Sequence, residues 1–203
     1  MSDVSFGKDS PMNIYTACPS FESDRYLLHP VQDNDAEALL LVYSDEKAVP
    51  LFNSDNCHGD DFHYMDLDRM RKAIDFWKQS YQNGQFVRWT LVDKTAGTAI
   101  GTVEGFRREA QDYFTDCALL RLDLRSDYET SQAIVQIFSL IAEPSFELFG
   151  CGKVAIKAIP AAQERIAAIG QLGFSASPEK LVGHDGTLYG DYFVLLRDKA
   201  FRQ

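Results

Sequence analysis

Between residues 86 and 125 the chain carries three strand-type segments in succession, separated by short turns, and this run constrains the fold more than any other feature. "FVRWTLVDK" (86–94) is joined through "TAGT" to "AIGTVEGFRRE" (99–109), and "DCALLRLDLR" (116–125) alternates Ala118, Leu120, Leu122 and Leu124 with Arg121 and Asp123. Period-two alternation around tight turns predicts an antiparallel meander with one buried and one more polar face. Helical spacing brackets it on both sides. Upstream, "RYLLHPV" (25–31) reads as a strand, and "DNDAEALLLVYSDE" has Asp33 or Asn34 as N-cap before Ala38, Leu39, Leu41 and Val42. A polar loop, "NSDNCHGDDFH" (53–63), leads to a second helix carrying Met65, Leu67, Met70, Ile74, Phe76, Trp77 and Tyr81, which Asn83 and Gly84 should end.

Downstream, Ala133, Ile134, Ile137, Phe138 and Ile141 fall on one helix face, and Pro144 should break or kink that helix by removing an amide and crowding the carbonyl of Leu140. "KVAIKAI" reads as a buried strand, "PAAQERIAAIGQLGF" as a short helix with Gly173 just past its end, and "GTLYGDYFVLLRD" as a closing strand or pair of strands. Residues 1–20, with Pro11 and Pro19 and little periodicity, read as a loosely held leader. Residues 21–203 read as a single α+β domain, since no repeat or linker divides them.

At 203 residues and 45% hydrophobic content the chain can bury a full core. Thirty acidic against twenty basic residues give a formal charge of -10, which opposes binding to nucleic acid and to anionic membrane. No apolar run approaches a membrane span, and the first residues lack the pattern of a signal peptide, so a cytoplasmic address is expected. Cys18, Cys57, Cys117 and Cys151 are far apart, without a CxxC pair, and read as reduced. No metal is expected: Cys57, His58, Asp60, Asp61 and His63 share a polar loop without regular ligand spacing. Neither a G-x-S-x-G elbow nor a G-x-x-x-x-G-K-S/T loop occurs.

"LRLDLRSDYETSQAIVQIF" (120–138) passes from a strand through a polar turn into a helix. Unpaired amides and the positive end of the helix dipole make such a turn suited to an anion. This turn has no glycine. Its amides remain available, because any residue except proline supplies one, while Asp127 and Glu129 would repel an anion if they faced it. Thr130 and Ser131 could cap the helix or donate to a phosphate.

The order of elements resembles the GNAT (Gcn5-related N-acetyltransferase) fold, and the wording resembles its ribosomal-protein-acetyltransferase-like branch. "SDRYLLHPVQDNDAEALLLVYSDE", "AIGTVEGF", "ERIAAIGQLGF" and "HDGTLYGDYFVLLRD" carry the resemblance collinearly over about residues 22–199. It implies a mixed, mostly antiparallel central sheet flanked by helices, and transfer of an acetyl group from acetyl-CoA to a primary amine of a small molecule or protein, with a small-molecule or peptide amine as the partner. A homodimer is left open. The family's Arg/Gln-x-x-Gly-x-Gly/Ala turn, which holds the pyrophosphate of acetyl-CoA, is matched at Arg125, whereas Tyr128 and Thr130 stand at its glycine and last positions. The cofactor residues implied are Leu122, Leu124, Arg125, Ser126, Asp127, Tyr128, Glu129, Thr130 and Ser131. The family's asparagine in the "LGF" helix is absent: Ala162 stands near its place and Gln163 is one step out of register.

Acyl transfer to an amine needs a base near neutral pH and an acid for the departing thiolate. Glu104, on a strand with apolar flanks, is the first candidate base, with burial expected to raise its pKa; a solvent-facing pair with Arg88 or Arg107 is the alternative. Asp123 is a weaker candidate. Tyr192 is the candidate acid, with Tyr189 beside it, although either could be core. The alternative to an enzyme is a non-catalytic GNAT-fold binding or regulatory protein with a degenerate CoA turn.

Overall fold

The computed structural model describes residues 14–200. The elements in order are β1 (Phe21–Glu22), β2 (Tyr26–Pro30), α1 (Ala36–Tyr43), α2 (Leu67–Gln82), β3 (Val87–Asp93), β4 (Thr98–Arg108), β5 (Cys117–Leu124), α3 (Ser131–Phe138), α4 (Pro144–Leu148), β6 (Lys153–Lys157), α5 (Gln163–Gln171), β7 (Ser175–Ala176), β8 (Leu181–Val182), β9 (Leu188–Tyr189), β10 (Tyr192–Leu196) and α6 (Arg197–Ala200). Eight strands form one sheet in the order β1-β2-β3-β4-β5-β6-β10-β7, and β8 and β9 make a separate hairpin. Every pairing in the large sheet is antiparallel except β5 with β6, so the sheet is mixed and mostly antiparallel, flanked by helices, as the α+β reading required.

Alternation sorts the sheet's two faces. Leu28, Trp89, Val103, Leu120, Leu122 and Leu124 pack with Ile134, Ile137 and Phe138 of α3 and Ile169 of α5 in the main core. The opposite face lies under α1 and α2, whose Leu39, Val42, Tyr43, Met70, Ile74 and Trp77 form a second cluster with Phe62 and Tyr64 from the loop before α2. That loop is therefore part of the packing, at about 1.5–3 kcal/mol for each large apolar side chain removed from water.

Local signals explain the helix ends. Asp66 Oδ1 accepts from the Arg69 amide at 2.8 Å and starts α2, and Gly84, at φ 70°, takes the left-handed conformation beyond its end. Pro144 acts differently from expectation: α3 has already ended at Phe138, and Pro144 occupies the first turn of α4, where its missing amide removes no hydrogen bond. Part of the leader is described. Ile14 is buried, its carbonyl accepts from Tyr81 Oη at 2.8 Å, and the Pro19 carbonyl accepts from Trp89 Nε1 at 2.8 Å. These bonds join residues 14–20 to α2 and to β3, and residues 1–13 lie outside the described residues. Among the described residues no helix is long and apolar enough to cross a membrane.

Candidate functional site

On the face beneath α1 and α2, strand register sets out two transverse rows. Arg88 lies opposite Glu104, which lies opposite Arg121; next to them Thr90 lies opposite Thr102, which lies opposite Asp123. The sequence distributes these polar residues at period two among Trp89, Val103 and Leu122, so they must share a face once the strands pair. Arg88 is fully buried; it donates to Glu104 Oε2, to Asp123 Oδ2 at 2.9 Å, to Thr102 Oγ1 at 3.0 Å and to Tyr43 Oη at 2.9 Å, and its guanidinium lies 4.1 Å from the centre of the Trp77 ring. Arg121 donates to Glu104 Oε1 at 3.0 Å, to Cys57 Sγ at 3.3 Å and to the Asp55 carbonyl at 2.7 Å. Desolvating each ion costs several kcal/mol, offset here because every charge has an opposite charge in contact.

This arrangement corrects the expected titration of Glu104. Burial alone would raise its pKa, but the Arg88 and Arg121 charges and their hydrogen bonds outweigh it and hold the carboxyl below its ordinary range. The anticipated ion pair with Arg88 exists, but it is buried rather than facing solvent. A carboxylate held ionised in this way has little affinity for a proton. Asp123 accepts from Arg88 and from Tyr43 in the same network.

A cleft of about 920 Å³ opens beside these rows, with Trp77, Phe106, Arg121, Glu104, Tyr192 and His184 among its walls. Both candidate catalytic residues therefore line one space. Tyr192 donates to Asp55 Oδ2 at 2.9 Å, and Asp55 in turn receives Lys157 Nζ at 2.7 and 2.8 Å. Burial, followed by the Asp55 charge, raises the phenol pKa, so Tyr192 keeps its proton. Tyr189 lies on the β8–β9 hairpin, 5.8 Å below Lys157 Nζ. Cys57 also lines the cleft, and burial raises its thiol pKa. In the neighbouring loop Asp60 is engaged by Arg69 and Tyr64.

The expected cofactor residues form one continuous stretch at the end of β5. Pairing of β5 with β6 stops at Leu120 opposite Ile156, whereas β5 continues to Leu124, so the two strands part there. Leu122 and Leu124 bury their side chains in the main core, and only their backbone remains for a ligand. The Leu122 carbonyl accepts from Arg165 Nη1 at 3.0 Å. Arg165, buried on α5, also reaches the Leu51 carbonyl at 3.1 Å and forms a bidentate pair with Glu129 at 2.8 Å on both arms.

Along the turn itself, the Ser126 amide donates to Asp45 Oδ2 at 2.8 Å and the Ser131 amide to Glu164 Oε2 at 2.7 Å. The Tyr128, Glu129 and Thr130 amides are used by the carbonyls of Arg125, Ser126 and Tyr128. Arg125 folds back onto Asp127 at 2.6 and 2.9 Å and lies over the Tyr128 ring, while Thr130 Oγ1 caps α3 by accepting from the Ala133 amide at 3.3 Å. Sequence reasoning missed Asp45, Asp55, Arg165 and Glu164, which come from elements distant in the chain; a buried arginine inside "ERIAAIG" gives no local sign of its partners. At Ala162, where the family has asparagine, α5 starts without a side-chain cap.

No protein-family model matches this chain. An uncharacterized N-acetyltransferase, YoaA of Bacillus subtilis, is 25% identical over 95 residues, 47% of this chain and 49% of that protein, so the chain spans about half the length of the curated relative it matches. Among solved structures, Mycobacterium smegmatis RimJ in complex with CoA-disulfide superposes with a TM-score of 0.68 at 12% identity, covering 91% of this chain and 88% of that one. A GCN5-related N-acetyltransferase from Brucella melitensis gives 0.64 at 13% identity, over 89% and 80% of the two chains. A GNAT-family acetyltransferase from Bacillus anthracis gives 0.63 at 11% identity, over 89% and 99%. The strand order, the single parallel pair that parts beyond Leu120 and these superpositions agree: this chain has the fold of the GNAT acetyltransferases.

Proposed function

We propose that the chain is an N-acyltransferase that passes the acetyl group of acetyl-CoA to a primary amine of a small molecule or peptide seated in the 920 Å³ cleft. The observation that carries this reading is where the cleft meets the sheet. It reaches β5 at Leu119 and Arg121, on either side of the last β5–β6 pair at Leu120, and β10 at Tyr192, which stands opposite Lys157 of β6. An amine held on the cleft side and a thioester entering where the strands part would meet there, and positioning of that kind supplies much of the rate of a direct transfer. The amine nitrogen attacks the thioester carbon, the C–S bond breaks, and the proton that the amine loses passes through water to the departing thiolate, while Tyr192, whose hydroxyl is held on Asp55 and keeps its proton, lines the site without supplying one. Glu104 serves as a fixed negative charge that orients Arg88 and Arg121, not as the base. Calorimetry with acetyl-CoA should give a Kd near micromolar, about -8 kcal/mol. Thiol release with a panel of primary amines should then identify the acceptor.

The second reading is a non-catalytic GNAT-fold binding or regulatory protein. The internal satisfaction of the turn's amides by Asp45 and Glu164 favours it. No heat at millimolar acetyl-CoA and no amine-dependent thiol release would leave that reading alone.

A further inference from the structure

Three side chains occupy the ground between the end of β5 and the start of α3, and two of them are neighbours on α5. Arg165 takes the Leu122 carbonyl where β5 leaves β6, Glu164 takes the Ser131 amide at the start of α3, and Asp45, from the loop after α1, takes the Ser126 amide at the other end of the turn. A carboxylate oxygen presents an amide with the same kind of charged acceptor as a phosphate oxygen, and contacts of 2.7 and 2.8 Å are the lengths of charge-assisted bonds. Both carboxylates come from outside the turn, 81 and 33 residues away in sequence, so they do not belong to its local geometry.

Charge adds to this occupancy. Four carboxylates, Asp45, Asp127, Glu129 and Glu164, stand around the turn against two guanidiniums, Arg125 and Arg165, and each guanidinium is already engaged by a carboxylate. The Ser131 amide and hydroxyl hold the Glu164 carboxyl below its ordinary range, and the Ser126 contacts do the same for Asp45 against the opposing effect of burial, so both are ionised at neutral pH. We propose that Asp45 and Glu164 are internal occupants of the anion-binding turn, which a donor carrying a pyrophosphate must displace, and that they set how tightly this chain takes CoA. The identity of the donor rests on the acyltransfer reading; the occupancy of the amides does not.

The test is calorimetry on the full chain with two probes, CoA and pantetheine, which shares the thiol arm and lacks every phosphate. Glu164 is exposed and Asp45 half-buried, so the double variant Asp45→Ala with Glu164→Ala, which removes both acceptors, should keep the fold, as an unchanged far-ultraviolet circular dichroism spectrum would check. The variant should bind CoA about tenfold or more tightly than the wild type, a gain of roughly 1.4 kcal/mol, while pantetheine affinity stays the same. Unchanged or weaker CoA affinity would overturn the proposal, as would an equal gain for pantetheine or no CoA binding in either protein. Tighter CoA binding without acetyl transfer to any amine would uphold it and remove the acyltransfer reading instead. Acetyl transfer by the wild type together with unchanged CoA affinity in the double variant would do the reverse.

Discussion

Glu104 accepts from two buried guanidiniums that have few other charged acceptors, so its loss is felt by both. Among the described residues Glu104→Gln leaves Arg88 paired with Asp123 alone and Arg121 without a carboxylate, and removing one partner of a buried ion pair typically costs about 3–5 kcal/mol. A lowered urea midpoint checks this, and a near-neutral stability change would show that the rows are not a structural unit. If acetyl transfer is measured, the pH–rate profile of the wild type should show no limb that belongs to Glu104, because the carboxyl stays ionised throughout the working range. Arg165→Leu belongs to the same class. It strands the Glu129 carboxylate and the Leu51 and Leu122 carbonyls, and a loss of about 3 kcal/mol or more is expected in chemical denaturation.

The ends and crossings of the elements carry smaller, separable energies. Asp66→Ala removes the side-chain acceptor at the start of α2 and should cost about 1 kcal/mol, read as a drop in the thermal midpoint. Thr130→Ala removes the matching cap on α3, through a longer bond, and should cost no more than that. At Gly101 the constraint is close approach rather than φ: a Cβ there would lie 2.3 Å from the Asp123 carbonyl oxygen of β5, and backbone cannot give way as a flexible side chain can. Gly101→Ala should therefore force β4 and β5 apart and cost about 1–3 kcal/mol, and unchanged stability would mean that the strands separate freely. Asp123 lies in the second polar row, so the same substitution would disturb its contact with Arg88.

At the scale of the whole molecule, acid is the condition to which this protein should be most sensitive. Glu104, Asp93 and Asp112 all have carboxyls held below their ordinary values: burial raises each, but Arg88 and Arg121 for Glu104, the Ala96 and Thr95 amides for Asp93, and Arg108 with the Val182 amide for Asp112 outweigh it. Depressed folded-state values mean that the unfolded chain binds more protons as pH falls. The stability they contribute is complete above the ordinary values, 4.5 for Glu and 3.8 for Asp, and is lost as pH falls through the lower folded ones. Urea midpoints should be flat from about pH 7 to 5 and decline steadily below about 4.5, and a midpoint that stays constant to about pH 3 would contradict the assignment.

Period-two alternation at 86–94, 99–109 and 116–125 determined the meander, and with it that Arg88, Glu104 and Arg121 lie on neighbouring strands, because strand pairing and side-chain direction follow from pattern and turn length. Residues 120–138 likewise determined that a strand runs into a helix through a turn able to present amides. The sequence could not show where those amides go. Asp45 and Glu164 cap them from 81 and 33 residues away, and Arg165 reaches across to the Leu122 carbonyl, contacts that exist only once α5 has packed beside α3 and the loop after α1 has closed over β5. The protonation of Glu104 was beyond the sequence for the same reason. Apolar neighbours along the strand argued for a raised pKa, and two arginines that tertiary packing brings to the same carboxylate reversed it, because in a buried site Coulomb attraction over a few ångströms exceeds what local composition conveys.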